Sequence, residues 1–150
     1  MMSELELRAK LVYKIANYAA ALGKMAPDGV NTYSNYRYIS SEQVLTHNRG
    51  KFCKSGFYII PEVEAISERE ITMKTKVYTR TLVKMNFEIV DIETGFSLVK
   101  KFVGIDQDIG GKSCGQTITE ACKRFYLKLF NISSGELDPD SKTVDINNIN

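Results

Sequence analysis

The residues most able to do chemistry lie in one run, GIDQDIGGKSCGQTITEACKRF, from Gly104 to Phe125. Its centre, Gly110-Gly111-Lys112-Ser113, resembles the end of a nucleotide-binding loop and is followed by a helical pattern. Two glycines ahead of a helix can turn backbone amides outward, the helix N-terminus adds partial positive charge, and Lys112 supplies a full one. Such a loop suits phosphate, either of a small nucleotide or of a nucleic-acid strand. A true P-loop also needs a glycine at position 106, where this chain has Asp106, and a parallel strand before the loop. A carboxylate there would repel the phosphates. The bland alternative is a tight strand-to-helix turn.

Other chemistries find little support. Cys53, Cys114 and Cys122 have no metal-ligand spacing, and His47 is the single histidine. The expectation is buried, reduced thiols, no metal, no cofactor and no catalytic residues. Asp106, Asp108 and Ser113 keep a nucleotide-using enzyme open as an alternative.

The elements that must position the loop follow from periodicity. Ser3 to Glu6 reads as a capping box, and Leu7, Leu11, Ile15, Tyr18 and Leu22 recur at helical spacing behind it. That apolar stripe could pack on the domain's own sheet or on a neighbouring subunit. After a turn at Pro27-Asp28-Gly29, a loop carries Tyr33, Tyr36, Arg37 and Tyr38. Ser40 to Gln43 opens a second helix running to about Lys54, weakened by Gly50.

From Phe57 the pattern changes to strands: FYIIPEVEAI, ITMKTKVYTRTLVKMNFEIV and FSLVKKFVG, with a hairpin turn from Asp91 to Gly95. In the middle segment the odd positions from Ile71 to Ile89 form a mostly apolar face. Lys74, Lys76, Tyr78, Arg80 and Lys84 share the other. Fully extended it would span ~60 Å, so it must bend or form a long hairpin arm. A last helix covers about Gln116 to Phe130, with Ile118, Ala121, Cys122, Phe125 and Leu129 as its buried stripe. The fold class expected is α+β with an antiparallel three-stranded sheet: one domain over residues 1–132, its β-β-β-α core from about residue 40, and a disordered acidic tail over 133–150.

The tail carries Glu136, Asp138, Asp140 and Asp145 against Lys142. With a whole-chain charge of +2, this leaves +5 on residues 1–132, a balance that suits a polyanion partner. The N-terminus lacks the order of a signal peptide and no run suffices for a membrane span, so a cytoplasmic location is expected, with no membrane partner.

The residues GIDQDIGGKSCGQTITEACKRFYLKLFNI resemble the C-terminal core of the ERF (essential recombination function) family of phage single-strand annealing proteins. Gly104, Asp108, Gly110, Lys112, Thr119, Ala121, Lys123, Leu127, Phe130 and Ile132 fall on that family's pattern without gaps. Gly111 stands where the family commonly has Asp. Upstream, YRYISSEQVL and KSGFYIIPEV are similar to further family motifs, so the resemblance spans about Tyr36 to Ile132.

The resemblance implies a core like that of eukaryotic annealing proteins. It also implies a ring or filament of identical subunits, and ATP-independent pairing of complementary single-stranded DNA in the cytoplasm of a host bacterium. A host or phage recombination protein is a further partner it allows, although the chain is short for the family and is expected to lack a C-terminal region for binding a host protein. Lys123 and Arg124 resemble a Lys-Arg pair on the DNA-facing helix of the eukaryotic proteins. The expected groove has Lys74, Lys76, Arg80 and Lys84 on the sheet, with Lys112, Lys123, Arg124 and Lys128 across from them. Tyr36, Arg37, Tyr38 and Tyr78 are its stacking candidates, and Gly110, Gly111 and Lys112 its phosphate-contacting loop. A double-stranded RNA-binding module, with its similar α-β-β-β-α order, is the rival binding function.

Overall fold

The computed structural model describes residues 1–23, 25–32, 35–48, 50–109 and 113–132. The tail over 133–150 and the loop residues Gly110, Gly111 and Lys112 lie outside that set. Helix α1 (Glu4–Leu22) begins at Ser3, whose Oγ accepts from the Glu6 N–H at 3.2 Å. Glu4 and Glu6 complement the partial positive charge of its first turn. A short hairpin follows, β1 (Gly29–Asn31) and β2 (Tyr36–Tyr38), in the segment expected to be loop. Three residues per strand are too few for alternation to stand out in sequence.

Helix α2 (Ser41–Asn48) is capped by Ser40, whose Oγ accepts from the Gln43 N–H at 3.0 Å. The single helix expected here to about Lys54 is divided, because Gly50 takes a left-handed conformation (φ 70°) ahead of the short α3 (Lys51–Lys54).

The main sheet has order β3-β4-β5, antiparallel throughout, as the sequence pattern indicated. Its strands are β3 (Phe57–Met73), β4 (Lys76–Asp91) and β5 (Ser97–Asp108). Strand boundaries differ from expectation: β5 continues past Gly104 to Asp108, and β3 past Ile66 to Met73. The chain reverses at Lys74-Thr75, with Lys74 at φ 57°, so Ile71 and Met73 end β3 rather than starting the next strand. They pair with Tyr78 and Lys76 and share their face of the sheet, opposite the apolar face assigned to them by alternation alone. A bulge at Glu64 shifts the β3 register between Val63 and Ala65.

Helix α4 (Ser113–Leu129) packs on the face formed by Thr81, Val83, Met85, Phe87 and Ile89. Phe125 stacks on Phe87 with ring centroids 3.9 Å apart. Gly104 of β5 lies beneath the helix: a Cβ there would sit 3.0 Å from the Ala121 Cβ and 3.1 Å from the Thr117 carbonyl oxygen. The absent side chain therefore sets how closely α4 approaches the sheet.

At the other end of α4, Tyr18, Phe52, Phe57, Tyr126 and Phe130 form an aromatic cluster tying α1 and α3 to the sheet. Burial pushes the Tyr126 phenol up to about 12. The Tyr18 hydroxyl donates to the buried Asn48 Oδ1. Helix α1 is also stapled electrostatically: Lys14 Nζ donates to Asp91 Oδ1 at 2.7 Å and Glu93 Oε2 at 2.9 Å, and Lys10 reaches Glu93 Oε1 at 2.7 Å. Burial alone would raise the Asp91 carboxyl. Hydrogen bonds from Lys14 and the Glu93 N–H, with the Lys14 charge, outweigh it and hold the group below the usual range.

The three cysteines are free, and each is half-buried rather than buried. No helix among the described residues is long and apolar enough to cross a membrane.

Candidate nucleic-acid interface

Helix α4, from Gly115 to Arg124, forms one wall of an open cleft of about 960 Å³. Ile105 and Asp106 of β5 form its floor, and Val30, Asn31, Thr32 and Tyr38 of the β1–β2 hairpin form the opposite wall. From α4 come Gly115, Gln116, Thr119, Glu120, Lys123 and Arg124. The sequence dictates this crowding on α4: Gln116, Glu120 and Arg124 are spaced by four, so they stack on one side of the helix. Val30, 57% exposed, gives the cleft an apolar edge, whereas Ile105 pairs with Leu82 and shares the sheet face turned away from α4.

Charges in the cleft are mixed. Glu120 Oε2 lies 3.4 Å from Lys123 Nζ and 3.8 Å from Arg124 Nε, while its Oε1 accepts from the Ser41 hydroxyl at 3.1 Å. Asp28, just before β1, accepts from the Ser40 N–H and Oγ at 2.8 and 2.7 Å. These bonds are the main cause of its lowered carboxyl pKa, and the charge of Lys123 is a lesser one.

Of the residues expected in the groove, Lys123, Arg124 and Tyr38 line this cleft. Lys128 is exposed in the last turn of α4, one turn beyond Arg124 on the same side of the helix. Arg37 is exposed and donates to the Pro27 carbonyl oxygen at 3.3 Å, at the base of the hairpin. The Tyr36 side chain and the loop Gly110, Gly111 and Lys112 lie outside the described residues.

The strand cations are elsewhere. Because Thr81, Val83 and Met85 face α4, alternation sends Lys76, Tyr78, Arg80 and Lys84 to the opposite face of the sheet. There Arg80 pairs across β3 with Arg69 and donates to Gln107 Oε1 at 3.2 Å, and Lys101 sits beside Asn86. Lys74 occupies the tip turn. The single groove with strand cations facing helix cations is therefore corrected. The basic residues form two groups, separated by the sheet itself.

Glu120 could have been noticed in sequence, since it stands three and four residues before the Lys-Arg pair and can reach both. Val30, Asn31 and Ile105 carried no such signal, because only the hairpin's fold against β5 and α4 unites them. Compared with protein-family models and with curated proteins, the chain matches none.

Proposed function

We propose that the chain binds single-stranded DNA along the cleft between the β1–β2 hairpin, β5 and α4, and pairs complementary strands without ATP, as the resemblance to ERF-type annealing proteins implies. The observation that carries this reading is the half-exposed Arg124 lining that cleft, whose opposite wall offers the exposed apolar Val30. An extended strand needs a cation for its phosphates and an apolar rim for its bases, with no chemistry on either. The β-β-β-α order also agrees with the core that the resemblance implies.

Work as an oligomer in phage recombination belongs to the same proposal. It draws support from apolar surface left open outside the cleft: Leu5, Val12 and Tyr13 on α1, and Tyr58, Ile60, Val99 and Val103 on the sheet.

The test is annealing of two complementary labelled oligonucleotides without nucleotide, alongside binding of single-stranded and duplex DNA over a salt series. The reading expects accelerated pairing, and a single-strand preference that weakens as salt rises. Equal or stronger binding to duplex RNA or DNA, with no acceleration, favours a duplex-reading module instead.

A further inference from the structure

Lys123 and Arg124 are neighbours in sequence with opposite surroundings. The Lys123 side chain is 2% exposed and that of Arg124 50%. An ammonium buried to that degree is tolerated only where charge and polar groups compensate its lost hydration. Here three groups do so. Glu120 Oε2 lies 3.4 Å away, the face of the Tyr38 ring has its centroid 5.4 Å from Nζ, and Asp28 lies near enough for Lys123 to depress its carboxyl.

Two of the three belong to the β1–β2 hairpin, from opposite sides of its neck. Asp28 precedes β1, and Tyr38 ends β2. The neck is tied by the Asp28–Ser40 bonds and by the Asp28 N–H, which donates to the Tyr38 carbonyl oxygen at 3.1 Å. Tyr38 is backed in turn by Gly29, its cross-strand partner. A Cβ on Gly29 would come within 2.5 Å of the ring, so only glycine leaves room for this stacking. The order from hairpin to helix is thus the Gly29 backbone, the Tyr38 ring, the Lys123 ammonium and the Glu120 carboxylate, with Glu120 anchored to Ser41.

A phosphate could reach Lys123 only by displacing the ring or the carboxylate. Arg124 shares the Glu120 carboxylate at 3.8 Å, but its side chain is half-exposed where it lines the cleft.

We propose that Lys123 is a positioning residue that pins the β1–β2 hairpin as the outer wall of the cleft, and that Arg124 alone of the pair meets the phosphate. The assignment of Arg124 rests on the nucleic-acid reading of the cleft. The pinning by Lys123 does not.

The experiment compares Lys123→Met, Tyr38→Leu and Arg124→Gln in the full chain. Hydrogen exchange of residues 28–40 is measured without DNA, and binding of a thirty-residue oligothymidylate across a salt series. Lys123→Met and Tyr38→Leu are expected to lower protection of the hairpin amides about tenfold or more, with amides of β4 unchanged. Arg124→Gln leaves the hairpin protected. In binding, Lys123→Met weakens affinity roughly three- to tenfold at every salt concentration, because the wall is no longer preorganised. Its slope of log K against log salt stays that of the parent, whereas Arg124→Gln flattens the slope by about 0.7, the loss of one phosphate contact on a single strand.

Unchanged hairpin protection in Lys123→Met, or a slope flattened by the same amount as in Arg124→Gln, overturns the proposal. Should Lys123→Met fail to fold, Tyr38→Leu breaks the same contact from the partly exposed side and decides the same question. If the parent chain does not bind oligothymidylate, the cleft reading and the role of Arg124 fall together, and the exchange data still decide whether Lys123 pins the hairpin.

Discussion

The β3–β4 ribbon is one continuous antiparallel ladder, yet its two strands have different fates. From Thr81 to Asp91, β4 alternates between buried and partly exposed side chains, and Phe57 and Ile59 complete the same buried layer on β3. From Ile60 to Glu70 every β3 residue is exposed, although each except the bulged Glu64 keeps its cross-strand partner. Ile60 to Glu68 lie opposite Glu88 to Thr81, so the exposed part of β3 is paired with the buried part of β4. What differs is the cover: α4 packs on β4 and β5, and the aromatic cluster reaches β3 at its first residues. The comparison separates two roles: the ladder sets direction and register, while the helix decides where the sheet becomes a core.

Beyond Ile59, β3 also carries its own guard. Glu62, Glu64, Glu68 and Glu70 line an edge strand that the bulge at Glu64 interrupts, and such features discourage pairing with another chain's edge. The central strand β4 needs no guard on its buried face, because the helix occupies it.

Breaking the layer beneath α4 should have the largest effect. Phe87→Ala removes the ring stacked on Phe125 and is expected to cost about 4 kcal/mol, read as a lowered urea midpoint with unchanged m-value. Asp91→Ala leaves Lys14 without its shortest ion pair and should cost about 3 kcal/mol by the same measurement.

The Asp91 contribution is also pH-dependent. The folded carboxyl is depressed, so its stabilisation is fully present above the ordinary value of 3.8 and is lost as pH falls through the lower folded value. Acid titration of the parent should therefore show a loss of stability below that point which Asp91→Ala lacks. Next in size, Gly104→Val drives a side chain into Ala121 and Thr117 and should cost about 2 kcal/mol, with weakened near-ultraviolet dichroism as α4 shifts on the sheet.

The smallest effect is expected on β3, where Ile66 is exposed although it pairs with the buried Val83, and Ile66→Thr should change stability by no more than about 0.5 kcal/mol. A cost there approaching that of Phe87→Ala would break the comparison, since it would mean that another surface covers the ribbon in solution.

Much of this architecture was legible along the chain. Helical spacing from Leu7 to Leu22, alternation from Lys76 to Ile89 and the turn after Asp91 each repeat a local geometric period, so each survives without knowledge of the rest of the fold. The same alternation placed Lys76, Arg80 and Lys84 together on one face. The turn at Lys74-Thr75 was hidden because it carries neither glycine nor proline, and the residues on both sides suit a strand.

Whether strand cations face helix cations was beyond any local period. It depends on which face α4 covers, and Phe87, Phe125 and Gly104 decide that through contacts across the sheet. The Lys-Arg pair shows the same division. Sequence determined that two cations stand side by side at the cleft end of a helix. Only the tertiary structure separated them, because a helical step of about 100° turned Lys123 under the Tyr38 ring and left Arg124 at the open side.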